Sequence, residues 1–189
     1  MFDQFVFALG FFHCSEFTLA FLFSPNEVTW KSWLFSKPYC IAMGTACLEF
    51  ILWTFLAPGM RSSAIAAGVS RLGLAMVVLG ELIRKTGYIT AGRSFTHDIK
   101  GRKSEHSGRL VTTGIYRYIR HPGYLGWFIW AISTQVLLVN PICIVLFTVV
   151  SWKFFADRIP YEEYLLQDFF GTEYEQYKRR TGTWIPFIP

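Results

Sequence analysis

Five long apolar stretches, each closed by proline, glycine or charge, set the pattern of this chain. They run over 2–23, 39–57, 64–83, 125–139 and 142–155. The first ends at Ser24, Pro25 and Asn26, the second lies between Pro38 and the pair Pro58 and Gly59, and the third stops at Arg84 and Lys85. A bilayer-crossing helix needs roughly 20 mostly apolar residues. The last two stretches are shorter, and the Asn140-Pro141 break between them predicts the tip of a tight helical hairpin. Backbone polar groups in lipid must be bonded within their own segment, which favours helices over open strands. The expected fold class is therefore an all-α integral membrane protein of about five transmembrane helices. The first stretch reads as a span, not a cleaved signal peptide, because it lacks a basic start and carries Asp3, His13 and Glu16.

Past 155 the period changes. Tyr161, Leu165 and Phe169 alternate with charged positions, as in an amphipathic helix lying against the membrane, and Trp184 to Phe187 reads as an extended cap. The chain thus divides into three spans (1–83), a basic loop (84–122), a hairpin (123–155) and a C-terminal helix with cap (156–189), all in one domain.

Composition agrees with a bilayer location. The chain is 52% hydrophobic and 19% aromatic, with 16% charged residues where soluble domains carry about 25%. That excludes an ordinary soluble domain and a disordered tail. The net charge of +5 is unevenly placed. Nine Lys and Arg against two acidic residues fall in 84–122, and the remainder is slightly acidic. So basic a loop is expected to face the cytoplasm, together with the 26–37 loop and the C-terminal tail. The charge reports topology and does not indicate nucleic acid. Cys14, Cys40, Cys47 and Cys143 have no metal-ligand spacing and read as small apolar residues; no metal is expected. Glu16, Glu49, Arg71 and Glu81 lie inside apolar stretches, where each costs about 2.5 to 3.5 kcal/mol at a bilayer centre. An interhelical pair such as Arg71 with Glu49 is the expected resolution, with a polar cavity between helices the other reading.

Two stretches carry chemistry. Residues 110–127 lead from the basic loop into the fourth span, and Pro122 suits the first position of a helix. That places His121, Gly123 and Tyr124 at a helix N-terminus, whose free N–H groups favour a carboxylate or phosphate. A basic and aromatic interfacial anchor is the competing reading. In the second stretch, Arg158 and Glu162 stand four apart and would share a helix face. Pro160 weakens that inference, since it disfavours helix at Ile159 and can open a new one.

The Arg-His-Pro-x-Tyr-x-Gly-Trp run at 120–127 is one of a set of motifs. The others are Ser133-Thr134-Gln135-Val136, the 140–143 turn, Asp157-Arg158 followed by Glu162-Glu163, and Phe169-Phe170-Gly171 with Tyr174, Tyr177 and Lys178. Together they resemble the isoprenylcysteine carboxyl methyltransferase family. The resemblance covers most of the chain and is strongest from Phe95 to Pro189. It implies a multi-pass endoplasmic-reticulum enzyme whose active site and C-terminus face the cytoplasm. Such an enzyme moves a methyl group from S-adenosyl-L-methionine to the α-carboxylate of a C-terminal prenylated cysteine, farnesyl or geranylgeranyl, in CaaX proteins such as small GTPases. The cofactor site it implies is Lys100, Gly108, Arg109, Leu110, Val111, Tyr116, His121, Pro122, Gly123, Tyr124 and Glu162, with Arg158 as the substrate-binding and catalytic arginine. Lys100 and Gly108 depart from the glutamine and histidine common in the family. Three other readings stand beside this one: a phospholipid N-methyltransferase, an NADPH-dependent sterol reductase and a non-enzymatic membrane scaffold.

Overall fold

Proline and serine mark where the helices begin. A computed structural model describes residues 1–95 and 109–189. Its helices are α1 (Phe2–Phe23), α2 (Lys37–Leu56), α3 (Pro58–Ser62), α4 (Ala64–Ala91), α5 (Pro122–Leu138), α6 (Pro141–Phe170) and α7 (Thr172–Arg180). Pro58, Pro122 and Pro141 each occupy a first helical position, where the missing N–H has no intrahelical partner to lose. The Ser36 and Ser63 hydroxyls cap α2 and α4 by accepting from the Tyr39 and Ala66 amides at 3.3 and 3.1 Å. No strand forms among the described residues; one isolated bridge joins Ile119 to Gly182.

Three helical stretches, Phe2–Phe23, Trp30–Leu56 and Ala64–Ser94, are long and apolar enough to cross a membrane. Their large apolar side chains are not confined to the inside. Phe7, Phe11, Phe21, Leu52, Phe55, Ile65, Leu72 and Leu82 are exposed, whereas His13, Glu16, Glu49 and Glu81 are buried. A protein in water reverses that arrangement, and a protein in lipid does not.

The helix pair that stands behind the site is α4 with α5. Along α4 the buried positions Ala66, Ser70, Gly73, Val77, Gly80, Arg84 and Gly87 recur at alternating spacings of four and three, the seam of a left-handed helix pair. Three of them are glycines seven apart. A Cβ on Gly80 would lie 2.8 Å from the Gly126 carbonyl and the Trp130 amide of α5; one on Gly73 would strike the Leu137 backbone, and one on Gly87 the Pro122 ring. The two helices therefore run antiparallel in backbone contact, the small-residue packing that replaces the hydrophobic effect where the surroundings are themselves apolar. Gly80→Ala is expected to force the pair apart at a cost of about 1 to 3 kcal/mol. Thermal unfolding in detergent checks it, and an unchanged midpoint would contradict the packing.

The chain turns between α5 and α6 on Val139, at φ +56°, and Asn140. This tip is tied to the preceding helices. Asn140 donates through Nδ2 to the Ala46 carbonyl at 2.9 Å and accepts from Arg61 at 3.0 Å. Glu49 of α2 accepts from the Ile142 and Cys143 amides at 2.9 and 2.6 Å, so a carboxylate from another helix caps α6.

Four sequence expectations are corrected here. Arg84 and Lys85 do not end the third apolar span, whose helix, α4, runs on to Ala91. Glu16 of α1 neutralises both, with its two oxygens on the Arg84 guanidinium at 2.9 and 2.7 Å and the Lys85 ammonium at 2.5 Å. Arg71 and Glu49 do not pair, because Glu49 caps α6 and Arg71 is exposed on α4. Pro160 opens no new helix: α6 is continuous from Pro141 to Phe170, with Ile159 and Glu163 buried on either side of it. The separate last helix is α7, whose Tyr174 and Tyr177 pack on Leu110.

Candidate active site

The start of α5 forms one wall of the site. Arg84, buried in α4, donates from Nη1 to the Gly123 carbonyl at 2.8 Å while its other nitrogens hold Glu16. Gly123 has no room for a side chain, because a Cβ would meet the Phe95 ring at 2.8 Å. Phe95 in turn stacks on Tyr88 of α4, centroid to centroid 4.0 Å. The first turn of α5 is thus held from behind by α4 and faced by an aromatic ring.

Arg109, Leu110, Val111, Tyr116, His121, Pro122, Gly123, Tyr124 and Glu162 line one cavity, with Phe95, Leu165, Phe170, Tyr174 and Tyr177 among the other residues of its walls. Nine positions spread over 54 residues of sequence are brought together by α5, the segment before it and the far half of α6. Lys100 and Gly108 lie outside the described residues. Arg158 stands one turn before Glu162 on α6, beside the cavity wall. Its Nε donates to the Tyr124 hydroxyl at 2.9 Å, and that hydroxyl donates to Glu162. The guanidinium also lies 5.5 Å from the centre of the Tyr124 ring and 5.6 Å from that of Phe154. Tyr124 is stacked on His121 at 5.5 Å with an interplanar angle of 7°. One phenol oxygen therefore links a cation and a carboxylate that sequence spacing alone places on the same face.

Beneath this wall lies a second polar cluster that sequence reading missed. Glu163 accepts from Arg120 at 2.6 Å, Lys178 at 2.7 Å and His121 at 3.1 Å. Arg120 also bonds the Lys178, Thr181 and Pro189 carbonyls, fastening α7 and the chain end to the start of α5. The signal was available in the doublets Arg120-His121 and Glu162-Glu163. Neighbours on a helix point about 100° apart, so one acid of the pair faces the cavity and the other turns inward.

Burial alone would raise the Glu163 carboxyl. Hydrogen bonds from His121 and Lys178, with the His121 and Arg120 charges, outweigh it and hold the group down at about 2, against an ordinary value of 4.5. A depressed carboxyl stabilises the fold above its unfolded value and loses that contribution as pH falls through the folded one. Stability is therefore expected to drop between about pH 4.5 and 2, and Glu163→Gln to remove that part of the pH dependence. Thermal melts in detergent across this range check it; an identical profile in the variant would refute the role. Tyr116 is pushed up by burial and by the Glu162 charge, so it remains a neutral phenol at physiological pH.

An apolar helical assembly with a polar cavity at one end of its hairpin defines the class: an integral membrane enzyme. Comparison with known proteins narrows it. Residues 73–168 match the family model described as the isoprenylcysteine carboxyl methyltransferase family. The chain is 47% identical to protein-S-isoprenylcysteine O-methyltransferase B of Arabidopsis thaliana over 98% of its own length and 92% of that protein's. It is 43% identical to the Saccharomyces cerevisiae protein-S-isoprenylcysteine O-methyltransferase, covering 99% and 80%. A solved structure of a eukaryotic intramembrane Ras methyltransferase superposes with a TM-score of 0.93 at 39% identity, covering 99% of this chain and 66% of that one. The chain belongs to the isoprenylcysteine carboxyl methyltransferase family, and it is an enzyme.

Proposed function

We propose that this enzyme transfers the methyl group of S-adenosyl-L-methionine to the α-carboxylate of a C-terminal prenylated cysteine. The observation that carries the reading is the convergence of nine residues on one cavity, with Arg158 joined to its wall through the Tyr124 hydroxyl. The donor set suits a zwitterionic cofactor. Glu162 offers a carboxylate to an ammonium group, the start of α5 offers amides to a carboxylate, and Leu110, Val111 and Pro122 offer apolar surface. When bound, the cofactor supplies an electrophilic methyl on a positive sulfur. The Tyr124 ring is already engaged by His121 and Arg158, which makes Tyr116 the better placed of these two tyrosines to face that positive charge.

The residues near the acceptor have a limited task. An α-carboxyl has a pKa of about 3.3 to 3.7, so it arrives ionised and needs no general base. Arg158, held at Nε by the Tyr124 hydroxyl, brings a guanidinium beside the cavity, which can orient a carboxylate oxygen without protonating it. Alignment and exclusion of water supply the rate enhancement.

Topology follows the charge. α5 and the first half of α6 join the three apolar stretches as spans, making five. The Lys- and Arg-rich segment, α7 and the site face the cytoplasm in the endoplasmic-reticulum membrane, and 1–189 acts as one domain. A farnesyl chain gains on the order of 10 kcal/mol in lipid, so a site at the boundary meets both a lipid-borne acceptor and a water-soluble cofactor. The acceptors are CaaX-processed proteins such as small GTPases.

Purified enzyme given labelled cofactor with a farnesylated cysteine, phosphatidylethanolamine or a sterol tests this directly. Label in a base-labile ester of the farnesylated cysteine is the expected result. Label in phosphatidylethanolamine, or in none of the three, would overturn it.

A further inference from the structure

The segment 183–189 returns along the α5–α6 hairpin after α7, and its side chains divide between two surroundings. Ile185 and Ile188 are buried against Leu125 and Phe128 of α5 and Phe155 of α6. Trp184 is 68% exposed and Phe187 95% exposed. Both aromatics stand at positive φ, +64° and +62°, a conformation that bulky side chains rarely adopt. Nothing in the fold rewards two large rings for facing outward there.

Depth along the hairpin suggests what does. The Trp152 indole donates to the Pro186 carbonyl at 2.7 Å and so fixes the segment against α6. Trp152 is 11 residues past Pro141, about 16 Å along the helix from the hairpin tip, where the hydrocarbon core is about 30 Å thick. On the topology proposed above, Pro186 therefore lies within the membrane, in its cytoplasmic half. The exposed α6 residues Val149, Val150 and Phe154 bracket the same depth.

Irregular backbone at that depth must find partners for its polar groups, and this segment carries several of its own. The Thr183 hydroxyl donates to the Ile188 carbonyl and accepts from the Ile185 amide at 3.3 Å. The Ile188 amide donates to the Ile185 carbonyl at 3.1 Å, and Pro186 and Pro189 have no N–H to satisfy.

We infer that 184–187 is a lipid-contacting turn in which Trp184 and Phe187 insert among the acyl chains of cytoplasmic-leaflet phospholipids beside α6. The inference rests on the proposed crossing of the membrane by α5 and α6, and the test separates the two. The full chain is reconstituted into vesicles of dioleoylphosphatidylcholine, plain or brominated at mid-chain. The Trp184 contribution is taken as the difference between the parent chain and Trp184→Phe. About half or more of that emission is expected to be lost in brominated vesicles, with a blue-shifted maximum. A Val150→Trp change in the Trp184→Phe background reports α6 itself. Quenching at 150 with an unquenched, red-shifted signal at 184 overturns the inference alone, and marks the turn as facing water or a protein partner. No quenching at either position overturns both the inference and the topology.

Discussion

Arg158→Ala is expected to lower methyl transfer by about 10²-fold or more while leaving cofactor affinity within a few-fold of the parent. The side chain stands beside the cavity and not among its lining residues, and its Nε is spent on the Tyr124 hydroxyl. A guanidinium in that place would orient an incoming carboxylate. Arg158→Lys keeps the charge and loses the planar fork, so it should recover only part of the rate. One coupling complicates the variant. Tyr124 also donates to Glu162, so removing Arg158 loosens a residue that lines the cavity. Tyr124→Phe isolates that contribution by cutting both bonds at once, and its expected effect is a raised cofactor KM with a smaller loss in kcat. Turnover with labelled cofactor and calorimetric binding, taken together, decide the matter. Near-normal turnover in Arg158→Ala would end the assignment.

The second large effect falls on stability. Glu16 is fully buried and receives both Arg84 and Lys85. Glu16→Ala leaves two cations without that partner in an apolar setting, and breaking a buried pair in this way costs about 3 to 5 kcal/mol. The protein is expected to lose most of its thermal stability in detergent, or to fail to accumulate folded. Replacing both partners, Glu16→Leu with Arg84→Met, should cost less than Glu16→Ala alone, because no charge is then stranded at Arg84. The double variant still loses the bond from Arg84 to the Gly123 carbonyl, so its residual defect should appear in cofactor binding. A stable Glu16→Ala would show that the pair contributes little.

Apolar length carried most of the architecture. α1 begins and ends where its hydrophobic run does, and α2 is displaced by at most two residues at either end. The errors share one origin. Arg84 and Lys85 read as a stop because their partner, Glu16, is 68 residues away in sequence, and local pattern holds no record of it. Arg71 and Glu49 were paired for lack of any knowledge of which helices adjoin, and α2 meets α6 instead. The stripe of Gly73, Gly80 and Gly87 went unread in the sequence, because glycine recurring every seven residues gains its meaning only once α5 is seen to lie against it.

The site was legible in a different way. Spacing alone singled out the helix start at 121–124 and the Arg158 to Glu162 face. The other lining residues came through resemblance, because nothing local in Arg109, Leu110 or Val111 announces a cavity. The Tyr124 bridge needed three dimensions, for it joins residues 34 positions apart on two helices.

The hairpin tip bears on the order of manufacture. Residues are synthesised from the N-terminus, so α2 is in the membrane before α6 exists. Until then the Glu49 carboxylate lacks the two amides that will satisfy it, and Arg61 lacks Asn140 and the Leu138 carbonyl. Until the tip arrives, the acid in the apolar second helix keeps only the Trp53 indole, at 3.1 Å, of these partners. Arrival of the tip supplies the two amides and ties α6 to α2, so one acid on the second helix fixes where the whole hairpin stands against it.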